Sequence, residues 1–314
     1  MTTLIPLVHQ MHAEEASEWL ATLQRLLPRY DIRLFDELGE QERSQCRIAI
    51  VANPDPHQLV QMPALIWVHS LWAGVERMVA ELADVPVDIV RLVDPCLTQT
   101  MSEAVLAWVL YLHRDMPLYR RQQAASLWQQ KPYVAAGERH VTVLGLGELG
   151  GASAQRLQQN SFMTSGWSRS LKSLDGVQCH TGRQGLEELF EQSDIIVNLL
   201  PLTPDTQALL DRKLFKKMKA SACLINFGRG ATIVEEDLVA ALNDKQFAHA
   251  VLDVFEQEPV SASSALWSHP RITLLPHISA QTTIESASRI IADNIVNYLD
   301  HAVMPEVVDK SRRY

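Results

Sequence analysis

The segment that most constrains the fold is HVTVLGLGELGGASAQRL, residues 140–157. An apolar run with the composition of a β-strand leads into glycines with the spacing GxGxxG, and a helix-forming run follows them. This order is typical of the first βα unit of a dinucleotide-binding domain. Because the amino end of a helix offers free N–H groups and a positive dipole to phosphates, we predict a dinucleotide site formed by Gly145, Gly147, Glu148, Leu149 and Gly150.

The residues after the next apolar strand bear on which dinucleotide is bound. The segment FMTSGWSRS, residues 162–170, ends in Ser168, Arg169 and Ser170. An acidic residue near this position would hold the ribose hydroxyls of NAD. A guanidinium flanked by two hydroxyl groups suits the 2′-phosphate of NADP instead, so we predict that NADPH is preferred over NADH. The alternative is that Arg169 is a solvated surface residue.

Apolar runs alternate with amphipathic segments along the whole chain, which predicts an α/β fold with parallel sheets. A first series of strands and helices occupies the amino-terminal part, and a second series begins with the glycine segment. Residues 99–130 separate the two series and are predicted to form one long helix, closed by Pro132. The chain has 314 residues, enough for two domains with separate cores.

Composition excludes several classes of partner. The net charge is −9 and the basic residues are scattered, which disfavours nucleic acid. No apolar stretch reaches the roughly 18 residues of a membrane span, and the amino terminus lacks a basic leader, so we predict a cytoplasmic protein. The cysteines lie far apart without a CxxC pair, which predicts no metal site and buried thiols at Cys46, Cys96, Cys179 and Cys223.

Three short segments place polar residues directly after later strands. They are NFGRG with Arg229, DVFEQEP with Glu258 and PHISA with His277. Each residue has an ordinary alternative role, as a surface arginine, a loop carboxylate or a packed histidine. Ligands bind outside the carboxyl ends of strands in open α/β sheets, however, so the three together predict a catalytic site at that edge.

The ordered motifs GLGELG, LLPLTPDT, NFGRG, DVFEQEP and LLPHISA, with LWAGVE upstream, resemble the D-2-hydroxyacid dehydrogenase family over nearly the whole chain. CRIAIVANP, GWSRSLKS and VVDKSRRY are similar to the bacterial branch that reduces glyoxylate and hydroxypyruvate. The resemblance implies a Rossmann-type doubly wound cofactor domain at residues 98–281. It also implies a flavodoxin-like substrate-binding domain at residues 1–97 and 282–314, and a homodimer with the segment 99–130 in its interface.

The resemblance implies a role for each catalytic residue. Arg229 would bind the substrate carboxylate and polarise the keto oxygen, because its donors form a fork that matches two oxygens. His277 would donate a proton to that oxygen during hydride transfer, and Glu258 would orient the imidazole and favour its charged form. Backbone amides at Ala73 and Gly74 would bind the carboxylate as well.

The same resemblance places further residues around the ligands. Asp253 would lie near the nicotinamide carboxamide, and Pro201 and Thr203 would line the cofactor. For Pro201 and Thr203 an alternative is turn formation at the end of a strand. Trp72 and Trp267 are candidates for narrowing the pocket to small acids, and either tryptophan could equally fill a core.

The implied activity is NADPH-dependent reduction of glyoxylate and hydroxypyruvate to glycolate and D-glycerate. The sequence leaves two alternative functions open. One is a reductase of larger 2-keto acids, because the sequence does not fix the pocket volume. The other is a dinucleotide-sensing, corepressor-like binding protein, which the catalytic motifs alone do not exclude.

Overall fold

A computed structural model of the protein describes residues 3–311, so the segment VVDKSRRY is described only as far as Ser311. The chain divides into two compact units. One contains the described residues up to Cys96 and those from Thr282 onward, and the other contains Leu97–Gln281. Each unit is built on a parallel sheet, which confirms the predicted α/β class.

The first unit is a five-stranded sheet covered by helices. Its strands are β1 (Leu4–His9), β2 (Asp31–Leu34), β3 (Ile48–Ala52), β4 (Trp67–Ser70) and β5 (Asp88–Val90). Its helices are α1 (Ala13–Leu26), α2 (Glu40–Arg43), α3 (Pro56–Leu59), α4 (Glu76–Glu81) and the last helix of the chain, α11 (Ile284–His301). The strand order β2-β1-β3-β4-β5 is the flavodoxin-like order, as predicted.

The central strand β3 shows why this sheet forms. Every residue of its sequence IAIVA is buried. Successive side chains of a strand point to opposite faces, so a strand buried throughout must be covered on both sides. Ile48 and Ile50 pack in a cluster with residues of α1 and α11, and Ala49 and Val51 belong to the cluster on the other face.

The second unit is a seven-stranded parallel sheet. Its strands are β6 (His140–Leu144), β7 (Met163–Trp167), β8 (Gln178–His180), β9 (Ile195–Asn198), β10 (Cys223–Asn226), β11 (His249–Leu252) and β12 (Ile272–Leu274). Its helices are α5 (Pro95–His113), α6 (Met116–Ala124), α7 (Glu148–Gln159), α8 (Gly182–Gln192), α9 (Arg212–Phe215) and α10 (Glu235–Asn243).

The strand order of this second sheet, β12-β11-β10-β9-β6-β7-β8, is that of a doubly wound Rossmann fold with one added strand. The chain runs outward from β6 through β7 and β8, and then resumes on the other side of β6 with β9. The order therefore reverses between β6 and β9. Crevices that bind ligands form outside the carboxyl ends of strands at such a reversal.

The prediction of one long helix over residues 99–130 is wrong. The structure has two helices, α5 and α6, separated at Asp115, whose φ of 55° is left-handed. Pro117 explains the break, because proline has no backbone N–H and its ring clashes with a continuing helix. Helix α6 ends at Ala124. The short edge strand β8 was not predicted, since its sequence QCH contains no apolar run.

Candidate active site

The glycine turn after β6 has three glycines with different surroundings. Gly145 has a φ of +93°, and a Cβ atom there would lie 2.8 Å from the carbonyl oxygen of Leu199. A Cβ atom on Gly150 would lie 1.7 Å from the carbonyl oxygen of Gly145. A Cβ atom on Gly147, the N-cap residue of α7, would meet nothing within 4 Å. Chain packing thus requires the first and third glycines, and the second borders open space at the helix amino end.

The segment that follows β7 lies next to this turn, because the Gly145 amide donates a hydrogen bond of 2.8 Å to the Trp167 carbonyl. The Ser168 hydroxyl donates to the Ser170 carbonyl at 2.7 Å. The Thr181 hydroxyl donates to the Arg169 carbonyl at 2.8 Å. These bonds fix the backbone while the side chains of Arg169 and Ser170 are exposed.

Arg229 follows β10 and is half-buried, with its Nη1 donating to the Gly228 carbonyl at 2.8 Å. The glycines on either side of it allow close contact with neighbouring loops. A Cβ atom on Gly228 would lie 2.7 Å from the Leu200 carbonyl oxygen, and one on Gly230 would lie 1.9 Å from the Phe255 carbonyl carbon. The Arg229 loop therefore packs between the loops that follow β9 and β11.

Glu258 and His277 form a hydrogen-bonded pair at the carboxyl ends of β11 and β12. The distance from His277 Nδ1 to Glu258 Oε2 is 2.8 Å. The other carboxylate oxygen of Glu258 accepts from the Phe255 amide at 2.9 Å, which fixes its orientation. With Nδ1 bonded to a carboxylate, Nε2 remains for a ligand, and it carries a proton when the ring is protonated. The His277 side chain is exposed, so a ligand can reach it.

Asp253 is buried at the end of β11, and it anchors the loop that carries His277. Its two carboxylate oxygens accept from the amides of Ile278 and Ser279 at 2.8 and 2.9 Å. Its carbonyl oxygen accepts from the His277 amide at 3.0 Å. These bonds hold His277 at a φ of 55°, which is uncommon for a residue other than glycine. The predicted contact of Asp253 with the nicotinamide stays a prediction.

Pro201 and Thr203 lie in the turn after β9, and Thr206 ties them together. The Thr206 hydroxyl donates to the Pro201 carbonyl at 2.6 Å and accepts from the Thr203 amide at 2.8 Å. The turn thereby brings both residues to the sheet edge that also carries the glycine turn. Their contact with a cofactor stays a prediction.

Ala73 and Gly74 belong to the first unit, in the loop between β4 and α4. Their amides have no hydrogen-bond acceptor among residues 3–311, which leaves both donors available to a ligand. Neighbouring Trp72 packs edge-on against Trp19 at 5.9 Å and contributes to the core of that unit. Trp267 lies in the second unit, 54% exposed, and its indole donates to the Ser261 carbonyl at 2.9 Å.

The cysteines differ in exposure, and the prediction that all four are buried is wrong. Cys46 is buried, Cys179 and Cys223 are intermediate, and Cys96 is exposed. Within the described part of the chain no group of three or more His, Cys, Asp or Glu residues is arranged to hold a metal ion. Every helix in that part is too short or too polar to traverse a bilayer.

Comparison with known proteins assigns this chain to a family. Residues 106–279 match the family described as D-isomer specific 2-hydroxyacid dehydrogenase, NAD binding domain. The chain belongs to this family. It is therefore a dehydrogenase that uses a nicotinamide dinucleotide, which confirms the predicted enzyme class.

Relatives of this D-2-hydroxyacid dehydrogenase cover 90% of the chain or more. Glyoxylate/hydroxypyruvate reductase A of Yersinia enterocolitica is 37% identical over 287 residues, 90% of this chain and 91% of that protein. The D-isomer specific 2-hydroxyacid dehydrogenase of Xanthobacter autotrophicus Py2, in complex with NADPH and MES, has a TM-score of 0.93 at 33% identity, covering 100% of both chains. The NADPH-dependent glyoxylate/hydroxypyruvate reductase of Sinorhizobium meliloti, in complex with NADP and sulfate, has a TM-score of 0.90 at 29% identity, also covering 100% of both.

The residues at the glycine turn fit a dinucleotide. Gly147 leaves open space where a side chain would otherwise stand, and that space adjoins the amino end of the 12-residue helix α7. The first amides of a helix have no partner within the helix and carry partial positive charge. A pyrophosphate at this position would be bound by backbone donors alone, without competition from a Cβ atom.

A buried polar network beneath Arg229 was not predicted. Asn198, Asn226 and Thr232 are at most 1% exposed. The Asn198 amide nitrogen donates to Asn226 Oδ1 at 2.9 Å and to the Thr232 hydroxyl at 2.7 Å. The Thr232 hydroxyl donates to the Arg229 carbonyl at 2.6 Å, so the network fixes the backbone of Arg229. A polar amide at the end of each apolar run, DIIVNLL and LINFG, is the signal that could have revealed it.

We expect Thr232→Val to weaken both the fold and the site. The substitution keeps the side-chain shape but removes the short hydroxyl bond to the Arg229 carbonyl, which keeps only its 3.3 Å bonds from Asn226 Nδ2 and the Thr232 amide. It also leaves an Asn198 N–H without its partner, at a cost of about 1–3 kcal/mol. Urea unfolding measures that loss, and steady-state kinetics should show kcat/KM for keto-acid reduction falling as Arg229 shifts. The control is Thr232→Ser, which keeps the hydroxyl and should retain most of both quantities. Equal stability and activity of the valine and serine variants would contradict the role of the network.

Proposed function

We propose that this dehydrogenase reduces small 2-keto acids, glyoxylate and hydroxypyruvate, to glycolate and D-glycerate with NADPH. The observation that carries the proposal is the Glu258–His277 pair, 2.8 Å apart, at the sheet edge that also carries Arg229 and the glycine turn. Relatives from Yersinia enterocolitica and Sinorhizobium meliloti that bear the name glyoxylate/hydroxypyruvate reductase support the substrate class.

In this proposal the nicotinamide supplies the hydride, and the protein supplies binding and a proton. Arg229 binds the substrate carboxylate and polarises the keto oxygen through its forked donors. His277 donates the Nε2 proton to that oxygen, and Glu258 stabilises the protonated ring through Nδ1. The amides of Ala73 and Gly74 bind the carboxylate. Asp253, Pro201 and Thr203 face the cofactor.

The preference for NADPH over NADH is assigned to Arg169, supported by its exposed side chain next to the glycine turn. A charge-assisted contact with a phosphate contributes about 1.5–3 kcal/mol, so Arg169→Ala should weaken NADPH use by roughly 10 to 150 fold and barely alter NADH use. The measurement is the ratio of kcat/KM values for the two cofactors. Arg183→Ala, a surface change on α8, serves as the control. An unchanged ratio in Arg169→Ala would mean that Arg169 is a solvated surface residue without a role in cofactor preference.

A panel of 2-keto acids of increasing size tests the substrate assignment. The proposal predicts the highest kcat/KM with glyoxylate and hydroxypyruvate, and a decline with phenylpyruvate and branched keto acids. A maximum of kcat/KM with the larger acids would show that they are the substrate class, and it would leave the proposed reaction unchanged. Binding of NADPH without turnover of any 2-keto acid would contradict the proposed reaction and favour a dinucleotide sensor.

We further propose a cytoplasmic homodimer, with residues 1–97 and 282–314 binding substrate and residues 98–281 binding the dinucleotide. Support for the dimer comes from large apolar side chains exposed on and after helices α5 and α6. These are Leu110, Met116, Tyr119, Leu127, Trp128 and Tyr133, with Trp128 95% exposed. Exposure of large apolar side chains to water is unfavourable, and association would cover them. Sedimentation equilibrium of the full chain tests this, and a monomer would contradict it.

A further inference from the structure

A cavity of about 180 Å³ lies within the second unit, at the amino ends of β9, β10 and β11. The strands of the sheet are parallel, so this edge is opposite the one that carries the glycine turn, Arg229 and His277. A four-residue strand separates the two edges by about 13 Å, at roughly 3.3 Å per residue. The cavity is therefore distinct from the candidate active site.

The cavity has positive charge that the surrounding side chains do not neutralise. Its charged lining residues are Asp115, Arg121, Lys131, Arg139 and Asp194. Asp115 pairs with Lys131 at 2.5 Å, and Asp194 pairs with Lys219 at 2.9 Å. Both aspartates thus have cationic partners already. Arg121 and Arg139 form no ion pair with any residue of the described ranges.

The two arginines are also partly removed from water. Both are half-buried, and Arg121 Nη1 and Arg139 Nε are fully enclosed without a hydrogen-bond acceptor among residues 3–311. Burial lowers the pKa of Arg121, and the positive charge of Arg271 lowers it further. A desolvated guanidinium without a counter-charge is unfavourable, and an anion placed between such groups would relieve that cost.

Two buried histidines complete the lining with polar atoms. His113 and His249 are 7% and 5% exposed, and the Nδ1 atom of each is enclosed without a partner in the described part of the chain. Burial lowers the pKa of His249 to about 4, so its ring is neutral at neutral pH and contributes a hydrogen bond rather than a charge. Burial raises the thiol pKa of Cys223, also in the lining, to about 12.

We propose that this cavity binds a small oxyanion of the phosphate or carboxylate kind, held by Arg121 and Arg139. Guanidinium groups match the oxygens of both anions, and the shared chemistry is an oxyanion that accepts forked hydrogen bonds. The volume is ample, because one water occupies about 30 Å³ in the liquid.

Thermal unfolding of the full chain tests the proposal, with phosphate or acetate titrated in the millimolar range against potassium chloride at equal ionic strength. A ligand that binds only the folded state raises Tm with its concentration, and that dependence gives a Kd. We expect phosphate or acetate to raise Tm beyond the chloride control. Arg121→Gln should weaken the Kd at least about tenfold. Arg139→Gln should weaken the Kd to a similar extent, and it provides the test if Arg121→Gln fails to fold.

Matched variants decide where the ion binds. Arg120→Gln removes the same charge from the exposed neighbour on α6 and should keep the wild-type response. Arg169→Ala and Arg229→Ala should keep the part of the response that Arg121→Gln removes. The proposal is overturned if neither anion exceeds chloride, if the response survives in both Arg121→Gln and Arg139→Gln, or if Arg169→Ala or Arg229→Ala abolishes it.

Discussion

Arg229→Ala is expected to lower kcat/KM for glyoxylate reduction by more than about a hundredfold, a loss of roughly 3 kcal/mol or more in the transition state. The arginine is the cation that the structure fixes at this sheet edge, with its carbonyl held at 2.6 Å by Thr232. Removing it should take away the proposed charge-assisted contact with the substrate carboxylate. Arg229→Lys should recover only part of the rate, because an ammonium group lacks the fork.

Measurement of NADPH binding distinguishes the loss of the substrate contact in Arg229→Ala from a general loss of structure. Fluorescence titration should give nearly the same Kd for NADPH in wild type and Arg229→Ala, since the glycine turn does not depend on the arginine side chain. Arg212→Ala, which removes a surface arginine paired with Asp237, is the control for removal of one positive charge. Full activity of Arg229→Ala would show that Arg229 is not part of the active site.

His277→Ala is expected to lower the rate of reduction by about 10² to 10⁴ at neutral pH, because the developing alkoxide loses its proton donor. The 2.8 Å bond to Glu258 predicts a second effect. Proton donation requires an imidazole held in a fixed orientation, and the Glu258 carboxylate holds it through Nδ1. In Glu258→Gln the ring loses this charged partner, so kcat/KM for reduction should fall.

Steady-state kinetics of reduction measure this second effect. Glu256→Gln changes an exposed carboxylate two residues away and should leave kcat/KM unchanged. A wild-type kcat/KM in Glu258→Gln would contradict the pairing on which the proposed role of Glu258 rests.

The sequence predicted the fold class because its strongest signals are local. The continuous apolar run of β3 and the glycine spacing after β6 specify buried parallel strands and a strand–turn–helix unit in residues adjacent along the chain. The break between α5 and α6 was missed, since an apolar helical pattern continues across Asp115 and only Pro117 interrupts it. The edge strand β8 carries too little apolar surface to be detected.

Much of what surrounds the candidate catalytic residues was not predictable, because those contacts join residues distant in the chain. The Asp253 carboxylate binds amides 25 and 26 residues further on. Asn198 reaches Thr232 across 34 residues. The motifs indicate that Arg229 and His277 are functional residues. They do not indicate which buried groups fix the backbones of these residues. The cavity at the opposite sheet edge has no sequence motif, since its arginines come from separate segments.

We expect this chain to transfer a hydride to the carbonyl carbon of a small 2-keto acid. The most direct measurement is mass spectrometry of the product formed from hydroxypyruvate and NADPH deuterated at both C4 positions. We expect D-glycerate with one deuterium at C2 from the wild-type enzyme, formed about 10² to 10⁴ times more slowly by His277→Ala. Absence of product, or glycerate without deuterium at C2, would contradict this hydride transfer.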